Sequence, residues 1–326
     1  MNIYNDRKLK AKDLIPIFIL IIAFSIFGYF IYRNRHMIIQ IQSISPWTIF
    51  QLSILVLFST FQNGLINFIL YQAMHVQIDL ISSFGLATIN TMANQLPLSG
   101  GLVAKGFYLY KKYKLPVSQY ISATGALYIC FLSTNGIVGL LSLCFLYLIQ
   151  KVAFPSYLVV GFGLMFMSFI VLFIPFNRLK IPIKFQKYSD GIEMGWNVLR
   201  SNKTLLVKLI SIQILSIILM ALRFGIALNS FSQEVTIIDS MLIASTSILT
   251  QLVNIVPGGL GLREGLAAAV AAVLGFDPGV TFVAVGFDRI VSTTIIIILG
   301  LYFSYVMGKS VVKGESSRDK EIASNE

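Results

Sequence analysis

Arginine and glutamate stand side by side at the end of a turn in an apolar part of the chain. Residues 254–265 read NIVPGGLGLREG, so a Pro-Gly-Gly turn leads directly into Arg263 and Glu264. The guanidinium of Arg263 offers planar donors suited to phosphate. A helix beginning at Leu262 would add its free N–H groups and the positive end of its dipole. These residue types in this order predict a site for an anionic group.

The composition places the chain in a membrane. Hydrophobic residues make up 56% of its 326 residues, charged residues make up 12%, and the mean hydropathy is +0.80. The formal net charge of +11 would suit nucleic acid, but the basic residues cluster at the edges of apolar runs, as they do beside anionic lipid headgroups. We therefore expect membrane lipids with anionic headgroups as partners, and no nucleic acid.

The sequence gives no sign of a disulfide, a metal site or a cofactor. Cys130 and Cys144 fall in one predicted helix, about 21 Å apart along its axis, and cannot pair. The only histidines are His36 and His75, and no cluster of His, Cys and Asp has the spacing of metal ligands.

Apolar runs long enough to cross a bilayer core of about 30 Å predict an all-α, polytopic membrane bundle. The first run follows a basic N-terminus at 1–13 and lacks a small-residue cleavage pattern, so it is interpreted as an uncleaved span. The transmembrane domain would cover 14–308, followed by a polar tail at 309–326. The six predicted spans are Leu14–Tyr32, Trp47–Tyr71, Val117–Ile149, Tyr157–Phe176, Val207–Asn229 and Thr281–Met307.

Two further apolar segments, at 80–113 and 237–275, are interrupted in the middle by Pro and Gly. The limb after each break has 13 or 14 residues, so as a helix it reaches about 21 Å at most, too short for the bilayer core. Irregular backbone at that depth must be buried in protein or line a wet cavity. Each segment is therefore predicted to be a re-entrant helical hairpin with a binding element at its tip.

The distribution of Lys and Arg predicts the orientation of these elements. With the N-terminus inside and both hairpins re-entrant, 18 of the 25 basic residues lie in the cytoplasm and three lie outside. The main alternative divides the run at 117–149 at Asn135-Gly136, which would move a loop with seven basic residues outside, and we reject it for that reason. The chain is predicted to cross the plasma (inner) membrane several times, with both termini in the cytoplasm.

The two hairpins resemble one another. Residues 94–105, NQLPLSGGLVAK, place Asn, Pro, Gly-Gly and a basic residue in the same order as residues 254–263, NIVPGGLGLR. Since the first hairpin is predicted to enter from the cytoplasm and the second from outside, the halves would form an inverted repeat, as in many transporters. Lys105 would then correspond to Arg263, and it would either bind phosphate from the inner side or extend to the headgroup region.

Four more charges are expected near the second tip. Glu264 would hold Arg263 in position, pair with Arg223 or Arg289, or accept a cationic part of the substrate. Arg223 and the Asp288-Arg289 pair fall in the outer thirds of their spans. Charges within a membrane indicate function by default, while the alternative is a set of ion pairs that only fixes helix packing. The predicted substrate-binding residues are Arg263, Glu264, Arg289, Asp288, Arg223, Lys105, Pro257, Gly258 and Gly259.

Other polar and aromatic residues predict packing roles. Trp196, with Ile192 and Leu199 at helical spacing in a basic loop, predicts a cytoplasmic interfacial helix anchored at the membrane. Asn67 and Asn135 are interpreted as helix-packing groups and not as ligands.

These features resemble the lysylphosphatidylglycerol synthetase/flippase transmembrane region, also called the flippase-like domain family. The resemblance rests on PGGLGLREG at 257–265, Gly275 and Asp288-Arg289, more weakly on LPLSGGLVAK at 96–105, and covers roughly 14–308. It implies a multi-span module with two re-entrant elements that moves or handles lipid. The first hairpin departs from the family pattern, because it lacks an acidic residue there. The short polar tail leads us to expect a stand-alone member without the soluble synthase domain.

The residues and the resemblance together predict a lipid transporter or flippase, not an enzyme. Its substrate would be a phospholipid, an aminoacyl-phospholipid or a polyprenyl-phosphate-linked lipid. One alternative is a non-transporting accessory protein for a separately encoded lipid- or glycan-modifying enzyme. A membrane glycosyl or lipid transferase is less favoured, because the extramembrane loops carry no paired carboxylates. The sequence is compatible with a homo-oligomer or a monomer. The absence of a Walker motif argues against ATP hydrolysis by this chain.

Overall fold

Helices account for all regular structure in the part of the chain that the computed structural model describes. The structure describes residues 44–95, 100–151, 154–174, 189–252, 259 and 261–324. The helices are α1 (Pro46–Ala73), α2 (Leu80–Ala93), α3 (Gly100–Tyr113), α4 (Val117–Gln150), α5 (Ser156–Met167), α6 (Phe169–Phe173), α7 (Ser189–Arg200), α8 (Lys203–Asn229), α9 (Ile237–Ser245), α10 (Ser247–Leu252), α11 (Leu262–Val273) and α12 (Pro278–Ser324).

Five helical stretches are long and apolar enough to cross a membrane. They are α1, α4, α5 together with α6, α8, and the part of α12 from Pro278 to Gly308, and they match five of the predicted spans closely. The remaining prediction, Leu14–Tyr32, lies outside the described residues. Where the sequence predicts only a polar tail, α12 continues as a helix to Ser324.

The span α4 is continuous through Asn135-Gly136, so the rejected division into two short spans is not observed. Asn135 is buried, and its Nδ2 donates to the carbonyl of Phe131 at 2.8 Å, within the helix. A Cβ atom built on Gly136 would lie 2.8 Å from the carbonyl oxygen of Phe162 in α5. The glycine therefore allows two spans to approach closely and does not mark a break.

Both interrupted segments form short helices, two in the first and three in the described part of the second. In the first, α2 and α3 pack against each other and have 14 residues each, about 21 Å of helix. Asn94 accepts a hydrogen bond from the backbone N–H of Gly101 at 3.2 Å, which ties the end of α2 to the start of α3. In the second, the 12-residue α11 packs against both α9 and α10. These limbs are shorter than a bilayer core of about 30 Å, as the sequence predicts.

The last span, α12, contacts both hairpins. It packs against α2 of the first hairpin and α11 of the second, and also against the spans α1 and α8. Because α8, α11 and α12 meet in this way, a side chain from each can reach a common point.

The helix α7 packs on the first turns of α4. Gly191 and Gly195 approach Ser118 and Ser122 of α4 so closely that a Cβ on either glycine would clash. Trp196 is partly buried against the core, and its indole N–H is buried without a hydrogen-bond acceptor. The face that the sequence predicts to anchor at the membrane is therefore used, at least at Trp196, for packing within the protein.

Candidate functional site

Asp288 of α12 is fully buried and accepts hydrogen bonds from two arginines. Arg223 of α8 donates from Nε to Oδ1 and from Nη2 to Oδ2, both at 2.8 Å. Arg263 of α11 donates from Nη2 to Oδ2, also at 2.8 Å. Ionised pairs of this geometry are among the stronger hydrogen bonds in proteins. One carboxylate thus connects two spans with the short helix after the second tip.

Glu264 forms the second ion pair and is also fully buried. Its Oε1 accepts a hydrogen bond from Nη1 of Arg289 at 2.8 Å, and its Oε2 accepts one from the backbone N–H of Gly261 at 2.9 Å. Gly261 has φ 78°, in the left-handed region that glycine adopts without a steric penalty. Of the roles that the sequence left open, Glu264 therefore takes the pairing with Arg289, and it also caps α11.

The five side chains of this cluster do not balance in charge. Among the described residues, three arginines face two carboxylates, so the cluster carries one excess positive charge: Arg223, Arg263, Arg289, Asp288 and Glu264. All five are mostly buried, where an uncompensated charge is costly. An anion bound at the cluster would neutralise it.

Arg263 is the arginine best placed to meet such an anion. Its side chain is 15% exposed, against 7% for Arg223 and 10% for Arg289. Its Nε is buried and has no hydrogen-bond partner among the described residues, which leaves a donor unsatisfied. It also stands in the first turn of α11, where backbone N–H groups and the helix dipole favour negative charge.

Two residues of α8 hold the guanidinium of Arg263, and the sequence prediction missed both. Nη2 lies 3.2 Å from the sulfur of Met220, and Cζ lies 5.0 Å from the centre of the Phe224 ring. The ring face attracts the cation without neutralising it. Met220 lies three residues before Arg223 and four before Phe224, so it shares a side of α8 with each of them. Helical spacing around Arg223 was the signal that could have found them.

The turn before α11 is described only in part. Gly259 has φ 69°, and a Cβ built on it would lie 3.4 Å from Cβ of Thr250, so the turn packs back against α10. Pro257 and Gly258, which the sequence also predicts as binding residues, lie outside the described residues.

Among the described residues, the contacts of Lys105 are with other helices and not with these charges. It lies in α3, and its Nζ donates to Oδ1 of Asn67 in α1 at 2.8 Å. The Nζ also lies 5.5 Å from the ring centre of Tyr71 and 5.8 Å from that of Tyr120. Only 8% of Lys105 is exposed, so it does not extend to the headgroup region. Asn67 serves as a packing partner, in keeping with its predicted role.

The sequence profile of the family described as Lysylphosphatidylglycerol synthase TM region matches residues 16–300 of the chain. The chain belongs to this family. Comparisons with curated proteins and with solved structures give no match. The resemblance predicted from PGGLGLREG is thereby confirmed.

The range matched by the Lysylphosphatidylglycerol synthase TM region includes both hairpins and all five charged residues of the cluster. The cluster is therefore built by the family's own membrane domain and not by an added segment. Together with the five candidate spans, the match makes this a multi-pass membrane protein.

Proposed function

We propose that the chain binds the anionic headgroup of a membrane lipid at Arg263 and moves that lipid between the two leaflets. The observation that carries the proposal is the excess positive charge of the cluster, combined with the unpartnered Nε of Arg263. A phosphate oxygen is the natural complement of a guanidinium donor in a buried setting. Membership in the Lysylphosphatidylglycerol synthase TM family supports a lipid as the carrier of that phosphate.

The contacts of the cluster suggest different tasks for its members. Both carboxylate oxygens of Asp288 accept hydrogen bonds from Arg223. One oxygen of Glu264 accepts from Arg289, and the other accepts from the backbone N–H of Gly261 in the turn. These two carboxylates position the arginines. Arg263 forms its ion pair with Asp288 through one nitrogen, Nη2. The rest of its guanidinium can therefore turn toward a ligand. In this proposal Arg263 touches the headgroup, and the others set its place.

The position of the site within the bundle supports passage of a headgroup. Arg263 is at the start of a 12-residue helix that is too short to cross a bilayer core of about 30 Å. A polar group that enters the membrane needs charged or hydrogen-bonding partners away from the surface, and the cluster offers them. We propose that the second tip opens to the outer face of the plasma membrane, with both termini in the cytoplasm.

Lipid retention in nanodiscs tests the binding step. Wild-type protein would be placed in neutral phosphatidylcholine containing a minor share of phosphatidylglycerol, and the lipids that stay bound would be counted by native mass spectrometry. Arg263→Gln should lower the preference for phosphatidylglycerol by roughly tenfold or more, as expected for the loss of a charge-assisted hydrogen bond.

The matched control is Lys208→Gln, which removes one positive charge from an exposed position of α8. It should keep the wild-type preference. Equal retention of phosphatidylglycerol by folded Arg263→Gln and wild-type protein would overturn the assignment of the headgroup to Arg263.

A further inference from the structure

We infer that the first hairpin contains a second anion site, formed by Lys105 of α3 and Tyr71 of α1, for a phosphate group. The inference extends the proposed function, since it takes the phosphate to belong to a lipid. It stands on different residues, because none of the contacts of Lys105 is with the Arg263 cluster.

Lys105 is a buried cation whose polar contact is neutral. Its Nζ donates to the amide oxygen of Asn67 at 2.8 Å, and among the described residues no carboxylate lies within ion-pair distance of it. An ammonium has three N–H donors, so a single acceptor leaves the other donors unused. A charge buried in this way is costly until an anion compensates it.

Two aromatic rings lie close to the ammonium of Lys105. Nζ lies over Tyr71 at 5.5 Å and over Tyr120 at 5.8 Å, and aromatic faces attract cations. The rings offset part of the cost of burying the charge and leave its hydrogen-bonding capacity for another group.

Tyr71 supplies a second donor without a partner. The residue is fully buried, and its hydroxyl has no hydrogen-bond acceptor in the part of the chain that the structure describes. Buried hydroxyls normally find one, so this orphan needs an explanation. It belongs to the ring whose centre lies 5.5 Å from Nζ of Lys105, so the two donors are in the same part of the bundle.

Access to this site depends on α3. Tyr120 of α4 contacts this helix closely, since its hydroxyl donates to the carbonyl of Leu102 at 3.4 Å and a Cβ on Gly106 would lie 2.9 Å from its ring. With only 8% of Lys105 exposed, a ligand enters when α3 shifts away from its neighbours. The two hairpins would then each present one anion site, Lys105 in the first and Arg263 in the second.

Thermal unfolding in nanodiscs tests the inference with two variants. Lys105→Met keeps the length of the side chain and removes its charge, and Tyr71→Phe removes only the unpartnered hydroxyl. In neutral phosphatidylcholine both should unfold at the wild-type temperature or above, because an uncompensated polar group is gone. Adding phosphatidylglycerol should raise the unfolding temperature of wild-type protein by several degrees more than that of either variant.

A purely structural role for Lys105 predicts the opposite pattern. If Lys105→Met unfolds at a lower temperature in neutral lipid, and both variants keep the full gain from phosphatidylglycerol, the inference is overturned. Lys105→Arg, which keeps the charge, should keep most of the gain.

Two further measurements distinguish a lipid phosphate from free phosphate and test the two sites separately. A gain from inorganic phosphate that Lys105→Met abolishes, without one from phosphatidylglycerol, would keep the anion site but assign it to free phosphate, overturning the lipid assignment. If Arg263→Gln keeps the full gain while Lys105→Met loses it, the second site stands and the proposed role of Arg263 fails. If each variant loses part of the gain and the double variant loses all of it, both sites are supported.

Discussion

Arg223 and Asp288 form a two-pronged ion pair between spans α8 and α12, from Nε to Oδ1 and from Nη2 to Oδ2 at 2.8 Å each. The pair occupies both oxygens of Asp288, yet one of them also accepts from Arg263. A single carboxylate therefore holds the short helix of the second hairpin against two spans. This arrangement makes Asp288 a structural centre and leaves Arg263 as the member that can turn to a ligand.

Replacement of Asp288 by Asn should destabilise the protein strongly. Asp288→Asn leaves two buried arginines without a carboxylate and raises the excess charge of the cluster, and breaking a buried pair on one side costs about 3–5 kcal/mol. Thermal unfolding of purified protein in detergent measures the effect. Asp190→Asn, at an exposed position of α7, is the control and should unfold at the wild-type temperature. An unchanged unfolding temperature for Asp288→Asn would contradict its central position.

The pairing of Glu264 with Arg289 predicts a coupling between the two residues. Glu264→Gln retains an acceptor for the N–H of Gly261 but adds to the excess charge, whereas Arg289→Gln removes the excess. We expect Glu264→Gln to be the more destabilising single change. In a double-mutant cycle the coupling should be about 0.5–3 kcal/mol, the size typical of residues that share a salt-bridge network. Additive effects of the two changes would show that the ion pair contributes nothing.

The sequence predicted the meeting of these charges but not their pairing. Long apolar runs and interrupted segments predicted the spans and hairpins because hydropathy and helix length are properties of single segments. Asp288 and Arg289 are neighbours in sequence but point about 100° apart around α12. Which carboxylate each arginine meets depends on how the helices are rotated against one another, and a single sequence does not contain that information.

Lys105 illustrates a second limit. Its position in the first hairpin predicted a counterpart of Arg263, but its neighbours Asn67, Tyr71 and Tyr120 come from two other helices. Their proximity arises only when α3 packs against α1 and α4. The role of Gly136 also depends on how helices pack. From the sequence alone, this glycine could mark either a break in a helix or a close contact between two helices.

Close packing of α4 on α5 predicts that Gly136 does not tolerate a larger side chain. Gly136→Ala places a methyl group against the backbone of Phe162 and Met165, and overpacking of this kind costs about 1–3 kcal/mol. Gly125→Ala is the control, because a Cβ there meets nothing within 4 Å and the change is in the same helix. Unfolding temperatures of the two variants should differ, with Gly136→Ala lower. Equal temperatures would show that α5 is not packed as described.

Single cysteines test the predicted orientation in the membrane. In a chain whose two native cysteines are replaced by alanine, Glu193→Cys in α7 should be cytoplasmic and Glu234→Cys before α9 should be outside; both positions are exposed. A membrane-impermeant maleimide added to intact cells should label Glu234→Cys at once and Glu193→Cys only after permeabilisation. The reverse labelling would place the second hairpin on the cytoplasmic side.

Lipid movement in proteoliposomes tests the central claim most directly. A fluorescent phosphatidylglycerol is placed in both leaflets, and an impermeant quencher is added outside, so only lipids that reach the outer leaflet lose their signal. Wild-type protein and Lys208→Gln should allow quenching of the inner-leaflet lipid without any added enzyme. Arg263→Gln, with an unfolding temperature near that of wild type, should leave the inner-leaflet signal intact. Inner-leaflet quenching by Arg263→Gln at the wild-type rate, or none with wild-type protein, would contradict the account.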